Sequence, residues 1–251
     1  MDYLAKKNVH SRDESITFDE GPHIYTIDGD SGFQSVTQYI HSWFPKFNAD
    51  AALANTMNSR NRTKKYGNMT GEEIKKSWSD NGKNASAAGT HLHECIECYY
   101  NNCPKVNDSI EYSYFIEFTK RYSELKPYRT EWMIYDKEAK FAGSIDMLFE
   151  NEDGSLSIYD WKRVKELRKT NGFDEWALLP DMDYLPNANY WHYSLQLNMY
   201  KRILEKNYNK KIKDMFLVCL HPNNNRFLRI KLKNLDKEID LLWEKRITEN
   251  I

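Results

Sequence analysis

Hydrophobic and polar residues follow one another along the chain in patterns that predict both strands and helices. Two apolar runs, Phe141–Phe149 and Leu156–Trp161, flank the turn signal Asp153-Gly154, which is typical of a β-hairpin. The alternation of Arg129–Tyr135 predicts another strand just before this hairpin. Further strands are predicted at His23–Ile27 with Phe33-Gln34 as a small hairpin, and at Asp214–Leu220 and Phe227–Leu232.

Helical patterns fill most of the first half and recur after the strands. Ser35 with Gln38, and Thr70 with Glu73, fit capping boxes, so a helix is expected to begin at each. Asn81–Ser86 is expected to interrupt the second of these helices, and residues 1–20 are expected to be a loose lead-in. The remaining helices are predicted over Ala49–Lys65, His91–Tyr100, Tyr112–Leu125, Trp191–Lys206 and Leu235–Ile247.

These elements predict one domain over 1–251, with a mostly helical part (1–128) and a sheet core with closing helices (129–251). The fold class is α/β (α+β), with a central mixed sheet flanked by helices. Between the hairpin and the next helix, Val164–Asn189 is rich in Pro, Asp and Asn. A loop of this length is usually functional or disordered, so we interpret it as a flap.

Composition narrows the class of protein. The net charge of −1 gives no overall basic field, and aromatic residues make up 14% of the chain, which argues against disorder. The N-terminus lacks an apolar leader and no run approaches about 18 apolar residues. We therefore expect a soluble intracellular protein without a membrane partner. The four cysteines (Cys95, Cys98, Cys103 and Cys219) favour a reducing compartment without a disulfide framework.

The predicted hairpin carries the most informative polar residues. Asp146 interrupts the first apolar run, and the second ends in Asp160-Trp161-Lys162. Side chains two residues apart in a strand lie on the same face, so Asp160 and Lys162 should be neighbours. Burying two carboxylates near a lysine is costly unless a cation or a reaction requires them. The pattern resembles the core motif of the PD-(D/E)XK nuclease superfamily.

Two helices extend this resemblance. Gly89-Thr90 precedes His93 and Glu97, which lie four residues apart on one helix face, and the later helix contains Gln196 and Tyr200 with the same spacing. With the hairpin between them, these motifs have the order found in the RecB-like branch, similar to phage, large-virus and mitochondrial genome-maintenance exonucleases. The resemblance covers about residues 89–200 and implies a sheet of the restriction-endonuclease-like type. Some relatives hold an iron–sulfur cluster, but the cysteine spacing here does not match, and none is expected.

The resemblance implies a divalent metal site. Its ligands would be His93, Asp146, Asp160 and the backbone carbonyl of Trp161, and the ion would be Mg²⁺ or Mn²⁺. Lys162 would orient the attacking water and stabilise its hydroxide form.

Other residues would support this site. Gln196 would assist the lysine or the phosphate, with Tyr200 on the same helix face. Glu97 would orient His93 or a water. Glu131 either faces the site or is an ordinary edge-strand residue.

The implied activity is hydrolysis of DNA by an exonuclease on single strands or duplex ends, in replication, repair or recombination. The basic residues Arg60, Arg62, Lys64, Lys65 and Arg163 would contact the nucleic acid, although such runs also occur as solvated charged faces. An RNA endonuclease on the same core, and a non-catalytic DNA-binding protein that keeps the fold, are alternatives.

Overall fold

A computed structural model describes residues 2–60 and 62–249. The chain forms two compact units: Met1–Pro45 with His93–Ile251, and Lys46–Leu92, which is inserted in the sequence of the first. The prediction of a single domain over 1–251 stays a prediction.

The first unit is built on a six-stranded mixed sheet flanked by helices, as predicted. The strands of this sheet are β3 (Gln34–Ser35), β4 (Lys126–Asp136), β5 (Phe141–Glu150), β6 (Leu156–Lys162), β7 (Ile212–Cys219) and β8 (Leu228–Lys231). They lie in the order β3-β5-β6-β7-β8, and β4 pairs with β5. The β3–β5 and β6–β7 pairs are parallel and the others antiparallel.

Helices cover both faces of this sheet. The helices of this unit are α1 (Tyr3–Lys7), α2 (Val36–Ser42), the end of α5 (Gly71–Tyr100), α6 (Ile110–Arg121), α7 (Asn189–Asn207) and α8 (Asp236–Glu249). The α7 side of the sheet holds the main core, in which Leu195, Met199 and Ile203 pack with Ile145 and Ile158 of the strands. The α6 side of the sheet is packed with aromatic side chains. No described helix is long and apolar enough to span a bilayer.

The predicted β5–β6 hairpin is confirmed, with Gly154 in the left-handed conformation (φ 76°) that its turn requires. Pairing runs from Glu150 with Leu156 to Met147 with Tyr159 and then stops. Farther along the same edge of β5, β3 pairs only with residues 141 and 142. Within the described chain, residues 143–146 therefore face a split between strands on this edge.

The second unit contains α3 (Ala49–Met57), α4 (Arg62–Tyr66) and the beginning of α5. The predicted capping box is confirmed: Glu73 N donates to Thr70 Oγ1 (3.3 Å) and Thr70 N donates to Glu73 Oε2 (2.7 Å). The capping box at Ser35 is wrong, because Ser35 precedes α2 without a side-chain cap.

The predicted break at Asn81–Ser86 is also wrong, since α5 is one helix of 30 residues. Residues 81–87 are exposed, and nothing lies near a Cβ added at Gly82 or Gly89. Weak helix formers cost at most about 1 kcal/mol each in such positions, so they lower stability without ending the helix.

The N-terminal residues are not a loose lead-in. They form α1 and a small antiparallel sheet, β1 (Ile16–Asp19) with β2 (Ile24–Ile27), so His23–Ile27 pairs with earlier residues and not with Phe33-Gln34. Asp13 fixes this segment to β4. It accepts hydrogen bonds from Arg129 Nη1 (2.8 Å), Trp132 Nε1 (2.8 Å) and the His10 backbone (3.0 Å).

The irregular segment 164–188 is in part fixed. Its second half packs into the main core through buried apolar residues, and Trp176 forms a β-bridge with Pro186. This half is therefore anchored to the core by part of its side chains, while others, such as Leu178 and Tyr184, are exposed. The packed residues are Ala177, Leu179, Met182 and Leu185.

Candidate metal centre

Three side chains from three elements meet beside the split in the sheet. His93 comes from α5, Glu131 from β4 and Asp146 from β5, and one ligand atom of each lies within 4.8 Å of the others. His93 Nδ1 is 3.5 Å from Asp146 Oδ2 and 3.9 Å from Glu131 Oε1. One nitrogen and two carboxylate oxygens thus face one point.

The backbone of Trp161 orients two of these side chains. Its N–H donates to Asp146 Oδ2 (2.9 Å), and its carbonyl lies 2.8 Å from His93 Nε2. Because a carbonyl only accepts, Nε2 carries a proton and donates. In the neutral imidazole this leaves the Nδ1 lone pair facing the carboxylates, which is the usual way that a protein orients a histidine ligand. The expected role of the Trp161 carbonyl as a metal ligand stays a prediction.

Glu131 has an unusual backbone. Its φ of 43° lies in the left-handed region, which is costly for a residue with a long side chain. The pairs on either side, Thr130 with Met147 and Trp132 with Ile145, place Glu131 opposite Asp146. Ser144 Oγ donates to Glu131 Oε2 (3.1 Å), so the carboxylate is held on the side of the cluster. Strain of this kind is common where a side chain must be aimed for function.

The predicted neighbours on β6 form an ion pair. Lys162 Nζ lies 2.8 Å from Asp160 Oδ2 and 3.0 Å from Oδ1, and Asp160 is buried. The ammonium is also 4.7 Å from the centre of the Tyr193 ring on α7. Within the described residues the three-ligand group does not include Asp160, and its expected role as a metal ligand stays a prediction.

The electrostatics reflect crowded carboxylates. Burial tends to lower the pKa of His93, but the carboxylates of Asp146 and Glu131 outweigh it and raise the pKa to about 9. Burial raises the pKa of Asp146, and the Glu131 charge adds to the effect. Burial likewise raises the pKa of Asp160 to about 6, although Lys162 opposes it. Asp160 and Asp146 raise the pKa of Lys162 against the effect of burial, so this amine stays protonated.

The cluster suits a divalent cation. Two carboxylates and one imidazole that face the same point are ordinary ligands for Mg²⁺ or Mn²⁺, with the nitrogen favouring manganese. Bringing two carboxylates together in a partly buried place is unfavourable without a positive charge between them.

Gln196 and Tyr200 share a helix face, as predicted, and Gln196 Nε2 donates to Tyr200 Oη (3.1 Å). Tyr200 packs directly on β5: a Cβ at Gly143 would lie 2.6 Å from its ring. Gly143 is therefore required for α7 to approach the sheet. The Lys162 ammonium contacts the ring of Tyr193, and the expected role of Gln196 at the lysine or the phosphate stays a prediction.

Glu97 lies one helical turn after His93 on α5. Burial, aided by the charge of Glu131, raises the pKa of its carboxyl to about 7. Its expected role in orienting His93 or a water stays a prediction.

The predicted basic contacts have different surroundings. Arg60, Lys64 and Lys65 are exposed, and Arg62 is half-buried with Nη2 donating to the Met69 carbonyl (3.1 Å). Arg163 Nε pairs with Glu111 Oε1 (2.6 Å), so this guanidinium already has an anionic partner.

Asn61, within the same basic run, lies outside the described residues.

Of the free cysteines, Cys95, Cys98 and Cys219 are buried and Cys103 is exposed. The expected absence of an iron–sulfur cluster stays a prediction.

Two side chains at this centre received no role from the sequence, Ser144 and Tyr193. Ser144 lies two residues before Asp146 on β5, where the alternation of a strand puts it on the face opposite Ile145. Tyr193 lies three residues before Gln196, on an adjacent part of the same helix. The three-residue spacing from Gln196 was the one feature of the sequence that could have placed Tyr193 near this centre.

Comparisons with known proteins give distant likenesses. No family model and no curated protein sequence matches the chain. Among solved structures, SSO0001 is 12% identical with a TM-score of 0.39, over 88% of this chain and 77% of that one. A candidate exonuclease from Eubacterium rectale is 10% identical (TM-score 0.35; 87% and 78%), and an alkaline exonuclease from Laribacter hongkongensis is 9% identical (0.34; 84% and 89%). Likenesses this distant assign no role to any residue.

Proposed function

We propose that this protein is a divalent-metal-dependent nuclease that hydrolyses phosphodiester bonds of DNA at strand ends. The observation that carries the proposal is the convergence of His93, Glu131 and Asp146 beside the buried pair of Asp160 and Lys162. The order of these residues along the chain also resembles that of RecB-like PD-(D/E)XK exonucleases, whose members commonly act from DNA ends.

His93, Glu131 and Asp146 would hold the cation. When bound, it would neutralise charge on the phosphate and make water a better nucleophile. The Trp161 peptide keeps the imidazole and the Asp146 carboxylate aimed at this point. Free rotation of either side chain would lower affinity for the cation.

Lys162 would act as a hydrogen-bond donor and not as a base. Its pKa is raised by Asp160 and Asp146, so it remains an ammonium at neutral pH. In this form it can hold the attacking oxygen and stabilise charge that develops on the phosphate. Asp160 and the Tyr193 ring restrict the position of the ammonium to one side of the cluster.

The test is a time course on end-labelled single-stranded DNA, duplex DNA and RNA with Mg²⁺, Mn²⁺ or EDTA. Metal-dependent release of mononucleotides from DNA is expected. Asp160→Asn and Lys162→Ala should each lower the rate by about 10²–10⁴-fold, the range for removal of one positioned polar catalytic group. Asp181→Asn, a change of an exposed acid far along the irregular segment, is the matched control and should leave the rate unchanged.

Other results would replace the proposal. Internal cleavage of RNA with DNA intact would indicate the RNA endonuclease. DNA binding without cleavage, or cleavage unaffected by Lys162→Ala, would refute a catalytic role for this centre.

A further inference from the structure

A cavity of about 550 Å³ in the first unit has no part in the metal centre. It lies between α1, the ends of α5 and α6, and the beginning of β4. This volume is in the range of small-molecule sites, roughly 300–1,000 Å³. We call it the tyrosine cavity; its lining includes Tyr3, Lys7, Tyr99, Tyr100, Asn102, Thr119, Tyr122, Ser123 and Phe149.

Two of its aromatic rings are accessible. Tyr3 is 47% exposed and Tyr99 is 37% exposed. Tyr99 is fixed by edge-to-face contacts with Tyr100 (5.2 Å) and Phe115 (5.2 Å). Tyr3 makes no ring contact within the described residues. Both rings therefore line one cavity, and neither contacts the other within the described residues.

The polar groups of the cavity favour an anion with hydrogen-bonding edges. Lys7 is exposed, and no acid of residues 2–60 and 62–249 lies within ion-pair distance of it. The lining contains no acid, whereas Asn102, Thr119 and Ser123 offer an amide and two hydroxyls. Aromatic faces, neutral polar groups and one cation together match a nucleotide.

The cavity and the metal centre share two elements, α5 and β5. Tyr99 follows His93 by six residues on α5, about 9 Å along a helix axis. Phe149 follows Asp146 by three residues on β5, about 10 Å along a strand. A short stretch of nucleic-acid strand can span such a distance.

We propose that the tyrosine cavity binds one unpaired base of the DNA strand whose backbone lies at the metal centre, with Lys7 near its phosphate. This rests on the proposed function. It makes the protein selective for a single-stranded segment next to the cleaved bond, because a base that is paired inside a duplex cannot enter the cavity.

The test measures binding without cleavage. Fluorescence anisotropy in EDTA gives Kd for a labelled single-stranded oligonucleotide and for the same sequence as a blunt duplex. The double variant Tyr3→Ala/Tyr99→Ala should raise Kd for the single strand by about 5- to 100-fold, since stacking contributes about 1–3 kcal/mol per base, and leave Kd for the duplex unchanged. Tyr3→Phe/Tyr99→Phe should bind like wild type because it keeps the ring faces.

Tyr184→Ala is the matched control, because Tyr184 is also 47% exposed but lies on the irregular segment. An effect below about twofold, an equal loss in the Tyr184 or Phe variants, or an equal loss for the duplex would each overturn the proposal. Circular dichroism of every variant separates lost binding from lost folding. Because no metal is needed, this result is independent of the nuclease assay: cleavage can occur with an unused cavity, and binding can occur without cleavage.

Discussion

Two sequestered acids, Asp13 and Asp146, have opposite surroundings. Asp13 accepts three hydrogen bonds, two of them from Arg129 and Trp132, and these outweigh burial and lower the pKa of its carboxyl. Asp146 accepts one backbone hydrogen bond and lies beside Glu131, and burial with this neighbouring charge raises its pKa. One carboxylate is satisfied by the protein itself, and the other is not.

This difference distinguishes a carboxylate that is buried to stabilise the fold, Asp13, from one that is buried to bind a ligand, Asp146. A satisfied carboxylate contributes to folding, whereas an incompletely satisfied one lowers stability until a ligand completes it. The same strand serves both: Arg129 and Trp132 of β4 bind Asp13, and Glu131 between them is directed to Asp146. The strained φ of Glu131 accompanies this divided use of β4.

The largest effect is expected from Asp146→Asn. With Mg²⁺ or Mn²⁺ it should lower the cleavage rate by about 10³-fold, since a bound metal contributes several kcal/mol to the transition state. Asp13→Asn should leave the rate per folded molecule unchanged. Rates measured with equal concentrations of folded protein check both, and equal losses would remove the contrast between the two acids.

Stability should respond in the opposite sense. Asp13→Asn should lower the free energy of unfolding by about 1–3 kcal/mol, because the Arg129 guanidinium loses its charged acceptor. Asp146→Asn in EDTA should leave it unchanged or raise it, because a carboxylate that burial and the Glu131 charge disfavour is removed. Urea titrations give both values. A clear loss of stability in Asp146→Asn would show that this acid is structural as well.

A smaller effect tests how the lysine is held. Tyr193→Leu should reduce the rate by about two- to fivefold, the equivalent of a cation–π contact of about 0.5–1 kcal/mol. Tyr193→Phe retains the ring and should recover the wild-type rate and pH profile. If Phe and Leu behave alike, the ring does not position Lys162.

The last test is the pH dependence of stability in EDTA. The pKa of His93 is raised from 6.5 to about 9, so its contribution is fully present below 6.5 and is lost as the pH rises through about 9. The pKa of Asp13 is lowered from 3.8, so its contribution is present above 3.8 and is lost only on acidification through the lowered value. Unfolding free energies of wild type and each variant are measured from acid to alkaline pH. The value for His93→Gln should approach that of wild type above about pH 9. The value for Asp13→Asn should approach that of wild type at the acid end, below 3.8.

Local chemistry made part of this structure predictable. The β5–β6 hairpin follows from its turn residues, and the proximity of Asp160 to Lys162 follows from strand alternation. The spacing of Gln196 and Tyr200 likewise gave their shared helix face. In each case the partners are close in sequence, so the sequence spacing alone predicts that they lie close together in the structure.

Long-range partners were not predictable in this way. Asp13 meets Arg129 and Trp132 across more than 110 residues, and nothing near Asp13 in the sequence reports those donors. The role of Glu131 could not be decided because its direction depends on a backbone conformation that no propensity favours. The continuity of α5 was missed because exposed polar residues resemble a loop in composition while they tolerate a helix.

The hydrogen bonds of the Trp161 peptide determine which substitutions position 161 can accept. It holds His93 and Asp146 with main-chain atoms that any residue except proline supplies, while its indole packs on Phe115 and Phe118. The indole Nε1 has no acceptor in the described protein, so phenylalanine would forfeit no hydrogen bond there. Position 161 can therefore accept other large apolar side chains without a change in the geometry of the metal centre. Selection should exclude proline, because proline lacks the N–H that donates to Asp146.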